Sequence, residues 1–544
     1  MSVRYRPSDE VDFVVIGAGA AGGVMAKELS TAGFRVVVLE QGPHLTAKDF
    51  THDEVDVVFR GALVNRESQQ PQTFRKTPDE VAKPHMAAGY ARLVGGGSVH
   101  FTANYWRFHP EDFRELSTLG PVSGASLADW PITYGELEPF YTKAEWELGI
   151  SGLAGSNPFD GPRSKPYPLP PMPVKSSGVL FERGARKLGL NPFPAPVAVL
   201  SQPYKGRAAC THCGYCEAFG CEMNAKSSTL AALIPLAEKT GKCEIRPESY
   251  VYKIESDNKG KKGKATAVLY FDRAGKEVRQ RTKAVALCAN GAESPRLLLL
   301  SGIANSSGLV GRNLMFDSSV YAMGLFEHEV NDYKSIVVTR VAHDFYRSDP
   351  KRGFYGGGGL DSRMDYTQAS FAASALPADG PQWGAAWKRA IAESFTRTAG
   401  ILGHASCLSR EQNSISLDPD LKDAWGLPAM RVTFQSHPDD KKSQRFLLAR
   451  QLEILEAAGA KKIWNVPLDD VADSVHLMGT CRMGSDPQTS VVDRWNRSHD
   501  VRNLFVVDGS SLVTCGRQQP TETIQALAWR AADYIVRSAP LGRI

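Results

Sequence analysis

Apolar residues crowd into short runs separated by glycines and polar turns, the pattern of strands alternating with helices. The first run is the clearest. Asp12 to Ile16 (DFVVI) reads as a strand, GAGAAGG as a tight turn, the stretch to Thr31 as a helix, and Arg35 to Leu39 (RVVVL) as a second strand ending at Glu40. Together they predict a βαβ unit. In mid-chain, Val251 to Ile254, Ala265 to Tyr270 and Ala284 to Cys288 predict strands of a further sheet. The first two flank the basic run Lys259 to Lys264 (KGKKGK), which reads as a solvated hairpin tip. Towards the end, Leu504 to Val507 predicts a strand before Asp508, and Thr521 to Ser538 a helix.

Two stretches have a different texture. Residues 120–205 are rich in proline, and their segment PYPLPPMP reads as an extended surface linker or a recognition element. Residues 320–465 mix strand and helix signals. Both are expected to belong to a second domain inserted into the first. No internal repeat is visible.

Composition narrows the class. With 544 residues, 42% hydrophobic and 23% charged, the chain has the proportions of a soluble globular protein of two to four folding units. Its 64 basic and 59 acidic residues give a charge of +5 with no concentrated basic stripe, so nucleic acid is not an expected ligand. No apolar run approaches the ~18 residues that a membrane helix needs, and Leu297 to Leu300 is among the densest. The opening MSVRYRPSDEV is polar and lacks the apolar segment of a secretory signal. Cytoplasmic residence is therefore the expectation, with periplasmic export alongside a signal-bearing partner as the alternative.

Candidate chemistry begins at the first turn. Gly17, Gly19 and Gly22 form G-x-G-x-x-G between strand and helix, with Ala20 and Ala21 inside the motif and Glu40, followed by Gln41, ending the next strand. The first glycine permits the turn, the second lets a pyrophosphate approach the backbone, and the third lets helix and strand pack closely. The helix N-terminus faces the phosphates, and Glu40 is placed to accept hydrogen bonds from ribose hydroxyls. A dinucleotide is thus expected, but the motif does not separate FAD from NAD.

The nine cysteines add a second signal. Cys210, Cys213, Cys216 and Cys221 have the spacing C-x2-C-x2-C-x4-C, while the other five are scattered. A compact loop of this kind suits an iron–sulfur cluster. Zinc, and thiols that are free or disulfide-linked, are the alternatives.

Three further segments, taken with the glycine motif, resemble the glucose-methanol-choline (GMC) oxidoreductase family: Leu93 to Arg107 (LVGGGSVHFTANYWR), Ser474 to Gly484 (SVHLMGTCRMG), and Leu504 to Asp533 (LFVVDGSSLVTCGRQQPTETIQALAWRAAD). The resemblance implies an α/β fold. A Rossmann-like FAD-binding domain would be assembled from residues 8–115, 206–318 and 470–544, interleaved with an α+β substrate-binding domain from 116–205 and 319–469. Gly95, Gly96 and Ser98 would lie against the cofactor, and His100 would be bonded to the flavin covalently or be buried beside it. Asp508, Gly509, Pro520 and Thr521 would line the same site, and Val251 and Ala289 would approach the adenine. His476 falls at the position of the family's catalytic base, since neutral imidazole has a pKa near working pH. The second active-site position, usually histidine or asparagine, is here Gln519, which can hydrogen-bond but cannot act as a base.

Within the family the chain resembles the bacterial FAD-dependent sugar dehydrogenases that carry an iron–sulfur cluster. That resemblance implies oxidation of a CH–OH group of a sugar or glycoside. Electrons would pass through a 3Fe–4S or 4Fe–4S cluster to an external acceptor such as a cytochrome, with a small accessory subunit. An oxygen-using oxidase that forms hydrogen peroxide is one alternative, and a non-catalytic flavin electron-transfer subunit another. Tyr105, Trp106 and the stretch Phe354 to Gly359 (FYGGGG) read as core residues with a possible place beside the substrate.

Overall fold

The computed structural model describes residues 3–258, 263–468 and 473–542. The predicted βαβ unit is present as β1 (Val11–Ile16), α1 (Ala20–Thr31) and β2 (Val36–Leu39). The two strands run parallel, with Phe13 opposite Val36 and Ile16 opposite Leu39. Nearly every side chain of β1 and β2 is buried, as expected of strands covered on both faces.

The sheet around β1 draws its strands from well-separated stretches. Cys243–Arg246 pairs with β2, and Glu277–Leu287 runs parallel to the other side of β1. The strand Glu277–Leu287 starts earlier than the sequence predicts. Its first half alternates exposed and buried residues against Ala265–Phe271, and its second half is buried between β1 and Leu504–Val506. Tyr250–Ser256 and Ala265–Phe271 pair antiparallel as the expected hairpin, but the residues 259–262 of its tip lie outside the described residues. The last helix, Thr521–Ser538, is buried along most of its length against α1 and Tyr134–Leu148.

A second, antiparallel sheet of six strands has the order Lys462–Asn465, Ser318–Leu325, Thr398–Ala405, Gly358–Arg363, Arg340–Ala342 and Phe193–Pro194. Side chains alternate between its faces. Val320, Ala322, Ile401, Ala405 and Leu360 pack with Leu447, Ile454 and Leu455 of the helix Pro438–Ala458, and with Leu180 and Phe181 of the helix Ser176–Lys187. The opposite face carries Tyr321 and Met323 of a smaller apolar cluster and, beside them, a polar patch. His404 lies opposite Ser319 and Gly359, and Asp361 lies opposite Leu402, so His404, Asp361 and Arg363 all share it.

A smaller sheet ties the two parts together. Gln72–Arg75, which the sequence places with the nucleotide-binding segments, runs parallel to Pro428–Thr433 from the other stretch. The proline-rich segment is anchored to the body by buried Leu169 and Met172, and Leu169 bridges to Ser151.

Candidate active site

A cavity of about 660 Å³ lies between the two large sheets. Gly17, Gly19, Ala20, Ala21, Glu40, Gln41, Gly96, Ser98, His100, Val251, Ala289, His476, Asp508, Gly509, Gln519, Pro520 and Thr521 all line it. Of the residues expected to contact the cofactor, Gly22 and Gly95 do not reach the wall, and both are glycines for packing reasons. A Cβ on Gly22 would lie 1.9 Å from the carbonyl oxygen of Gly17, and one on Gly95 2.7 Å from Cβ of Leu230.

The nucleotide end is backbone built to face a ligand. Gly17 has φ +90°, and a Cβ there would meet the Cys288 carbonyl oxygen at 2.5 Å. No side chain caps the start of α1, and Gly19, Ala20 and Ala21 turn to the cavity. The helix therefore offers its unpaired amide groups there. Glu40 accepts hydrogen bonds from the backbone amides of Ala18 and Gly42, both at 2.9 Å, and burial pushes its carboxyl up to about 6. Gln41 Oε1 is buried without a partner. Asp508 accepts from Ser294 Oγ at 2.5 Å and from the Ser510 amide at 2.9 Å.

Ser98 lines the cavity and also holds the loop in shape. Its hydroxyl donates to the Gly95 carbonyl at 2.7 Å and accepts from the Thr229 amide at 3.1 Å, so it braces the glycine turn. His100 lines the cavity with Nε2 unpartnered. Burial and the nearby Lys226 ammonium lower its pKa to about 4, which keeps the ring neutral. These unfilled groups, the exposed amides of α1 and the close glycine backbone fit a flavin nucleotide. Gly17, Gly19 and Glu40 would hold its adenosine diphosphate part and His100 would stand beside the ring.

The other end of the cavity is strongly polar. His476 Nδ1 is 2.8 Å from Asp317 Oδ2, and His404 Nδ1 approaches the same oxygen at 3.4 Å. Burial would push the Asp317 carboxyl up, but hydrogen bonds from the two histidines and their charges hold it well below the usual range. His404 Nε2 is 2.8 Å from Asp361 Oδ2 and 2.8 Å from Gln519 Nε2. Arg363 donates to both oxygens of Asp361, at 2.5 and 2.6 Å, and reaches Asp365 Oδ2 at 3.3 Å. Asp317, His404, Arg363 and Asp365 line the cavity with His476 and Gln519.

Sequence reasoning missed Asp317, His404, Asp361 and Arg363. Each stands in or next to a strand with no motif around it, and the only available signal was a polar residue in an otherwise apolar alternation. Trp106 and Tyr105 do not line the cavity. Trp106 packs edge-on against His404 and His343, and Tyr105 donates to Gln525 Oε1 at 2.6 Å. The glycines of FYGGGG serve strand packing, since a Cβ on Gly358 would lie 2.1 Å from the His404 carbonyl oxygen.

The cysteine loop does not support the expected iron–sulfur or zinc site. Among the described residues, no three His, Cys, Asp or Glu side chains gather as a metal-ligand set. Cys213 is exposed, Cys216 is buried, and Cys210 and Cys221 lie between these extremes, all four as free thiols. The loop backbone is fixed by contacts of its own. The loop turns at Gly214 (φ +93°) against the Tyr333 carbonyl, His212 bonds Ser335 at 2.7 Å, and Lys226 Nζ pins the carbonyls of Cys216 and Phe219 at 2.6 and 2.8 Å. Burial pushes the Cys216 thiol up to about 12.

Comparison with known proteins agrees with this architecture. Models of the GMC oxidoreductase family match residues 11–318 and 409–528. The chain is 34% identical over 541 residues to the 2-methyl-1,2-propanediol dehydrogenase of Mycolicibacterium austroafricanum, covering 97% of this chain and 96% of the relative. It is 31% identical over 577 residues to the gluconate 2-dehydrogenase flavoprotein of Pantoea cypripedii, covering 97% and 93%. Among solved structures, pyridoxine 4-oxidase from Mesorbium loti shares the fold with a TM-score of 0.63 at 19% identity, over 96% of this chain and 99% of that one. The chain belongs to the GMC oxidoreductase family, and its glycine-lined cavity is that of an oxidoreductase that binds FAD.

Proposed function

We propose that the protein oxidises a CH–OH carbon of a small polyhydroxylated substrate, with His476 as the base. The observation that carries this reading is the 2.8 Å contact between His476 Nδ1 and Asp317. A carboxylate at Nδ1 fixes that nitrogen as the N–H, so Nε2 is left with the lone pair that takes a proton. The same carboxylate stabilises the imidazolium that forms. Bound FAD would supply the hydride acceptor. The substrate hydroxyl proton goes to His476 as the carbon loses its hydride, and a carbonyl product results.

The substrate end of the cavity supports a polar, hydroxyl-rich ligand. Glu217 and Asp365 line it, and each keeps one buried carboxyl oxygen without a partner, a polar demand that a hydroxyl-rich ligand suits. Burial and the nearby Asp365 push the Glu217 carboxyl up to about 7, so it can also donate. Sugars, glycosides and short polyols have the complementary chemistry. The two relatives described above are a dehydrogenase acting on a diol and a gluconate dehydrogenase flavoprotein, which supports transfer of the electrons to an acceptor other than oxygen.

The test is anaerobic bleaching of the flavin by a panel of sugars, glycosides, diols and simple alcohols. At least one polyhydroxylated compound should reduce the wild-type flavin, and His476→Ala should slow that step by at least about a hundredfold. A near-normal rate in the variant would sink the assignment of the base. Hydrogen peroxide formed in step with substrate loss in air would instead make the protein an oxidase.

A further inference from the structure

The surroundings of His404 make a demand that a neutral ring cannot meet. Its Nδ1 faces Asp317 and its Nε2 faces Asp361, at 3.4 and 2.8 Å. A neutral imidazole has one N–H and would leave one of these carboxylates facing a lone pair. Protonating Asp361 is not the way out, because Arg363 grips both of its oxygens. Burial would raise the Asp361 carboxyl, but Arg363 and His404 hold it below the ordinary range.

The second demand comes from Gln519. Its Nε2 lies 2.8 Å from His404 Nε2, and its Oε1 is buried without a partner. If His404 Nε2 carries a proton for Asp361, an amide NH2 at that distance sets donor against donor. Turning the amide over removes the conflict. Oε1 then accepts from His404, and the NH2 takes the buried, unpartnered place on a residue that lines the cavity.

We propose that His404 is a charged positioning residue of the active site, an imidazolium clamped between Asp317 and Asp361 that directs the NH2 of Gln519 at the substrate oxygen. This rests on the function proposed above and adds the partner that Gln519 lacks by itself. His476 takes the proton, and the Gln519 NH2 steadies the oxygen as negative charge grows on it. Asp317 serves both histidines. The charge on His404 also keeps that shared carboxylate from being drawn wholly to His476.

Asp317 and Asp361 account for the charge on His404, against the Arg363 guanidinium, whose Nη2 lies 3.3 Å from His404 Nε2. Asp317 and His476 come from one side, Asp361, Arg363 and Asp365 from the neighbouring strand and its end, and His343 lies across the Trp106 ring. Burial would lower the His404 pKa, but the bonds to Asp317 and Asp361 raise it. His343, whose pKa burial and the two neighbouring histidine charges lower well below the usual value, stays neutral.

Selective ¹⁵N-histidine labelling of the FAD-loaded protein tests the inference, with His404 assigned by its loss in His404→Gln. Both ring nitrogens of His404 should remain protonated from about pH 6 to pH 9, well past the ordinary histidine range. In Asp361→Asn the same signals should titrate within that window. His404→Gln should slow flavin reduction on the order of a hundredfold with little change in substrate affinity, and Gln519→Glu, which keeps the inward oxygen but removes the outward donor, should do the same. A His404 ring that titrates as an ordinary imidazole in the wild type would overturn the proposal, whatever the variants do. The base assignment fails separately, through an active His476→Ala, and that result leaves the His404 spectrum untouched.

Discussion

A Cβ atom on Gly96 would lie 2.6 Å from Cα of Gly19. The glycine turn of the βαβ unit and the second glycine-rich loop therefore touch backbone to backbone at the cavity wall. Gly96 also has φ +54°, where a side chain adds a cost of about 1–2 kcal/mol. Gly96→Ala should push the two loops apart and weaken FAD binding by at least about tenfold. The ratio of flavin to protein after purification and a titration of the apoprotein with FAD measure it, and full FAD retention would show that the loops can part freely.

Glu40 ties FAD affinity to pH. Its folded pKa of about 6 lies above the ordinary carboxylate value, so in the apoprotein the group stabilises the fold fully in acid, and that contribution is lost as pH rises through 6. Ribose hydroxyls donate to the ionised form, so FAD should bind more tightly above pH 6 than below it. Glu40→Gln should flatten both trends. Melting curves of the apoprotein and FAD titrations across that range provide the comparison.

Asp317→Asn should slow flavin reduction by on the order of a hundredfold or more, because an amide neither fixes the His476 tautomer nor stabilises its cation. Substrate affinity should change much less. Stopped-flow reduction under anaerobic conditions gives the rate, and a value within a few-fold of wild type would remove Asp317 from the support of the base.

Away from the cavity, Glu522 and Glu145 are both fully buried beside Arg107, whose Nε is 2.8 Å from Glu145 and 3.8 Å from Glu522. Burial first, and then the Glu145 charge, push the Glu522 carboxyl well above its ordinary value. Its contribution to stability is therefore present in acid and lost as pH rises. Glu522→Gln keeps the shape without the ionisation. Its melting temperature should exceed that of the wild type at alkaline pH and approach it in acid, as read by scanning calorimetry.

The nucleotide end was legible in the sequence because its chemistry is local. Gly17, Gly19 and Gly22 sit within one turn, and Glu40 ends the very next strand, so strand, turn and helix patterns locate them together. His476 was legible through the residues around it. The rest of the polar end was not. Asp317, Asp361 and His404 converge only because an antiparallel register places Ser319 and Gly359 opposite His404, a pairing that no local pattern encodes. The cysteines show the converse: their short spacing suggested a metal-ligand set, and among the described residues no such set forms.

The last helix also reaches the first turn: Gln525 Nε2 donates to the Ala20 carbonyl at 3.2 Å, and Trp529 Nε1 to Glu28 at 3.2 Å. During synthesis the glycine turn leaves the ribosome early, yet it stays without this buttress until Thr521–Ser538 has emerged. The seat of the glycine turn is thus completed only when the end of the chain has folded back onto α1.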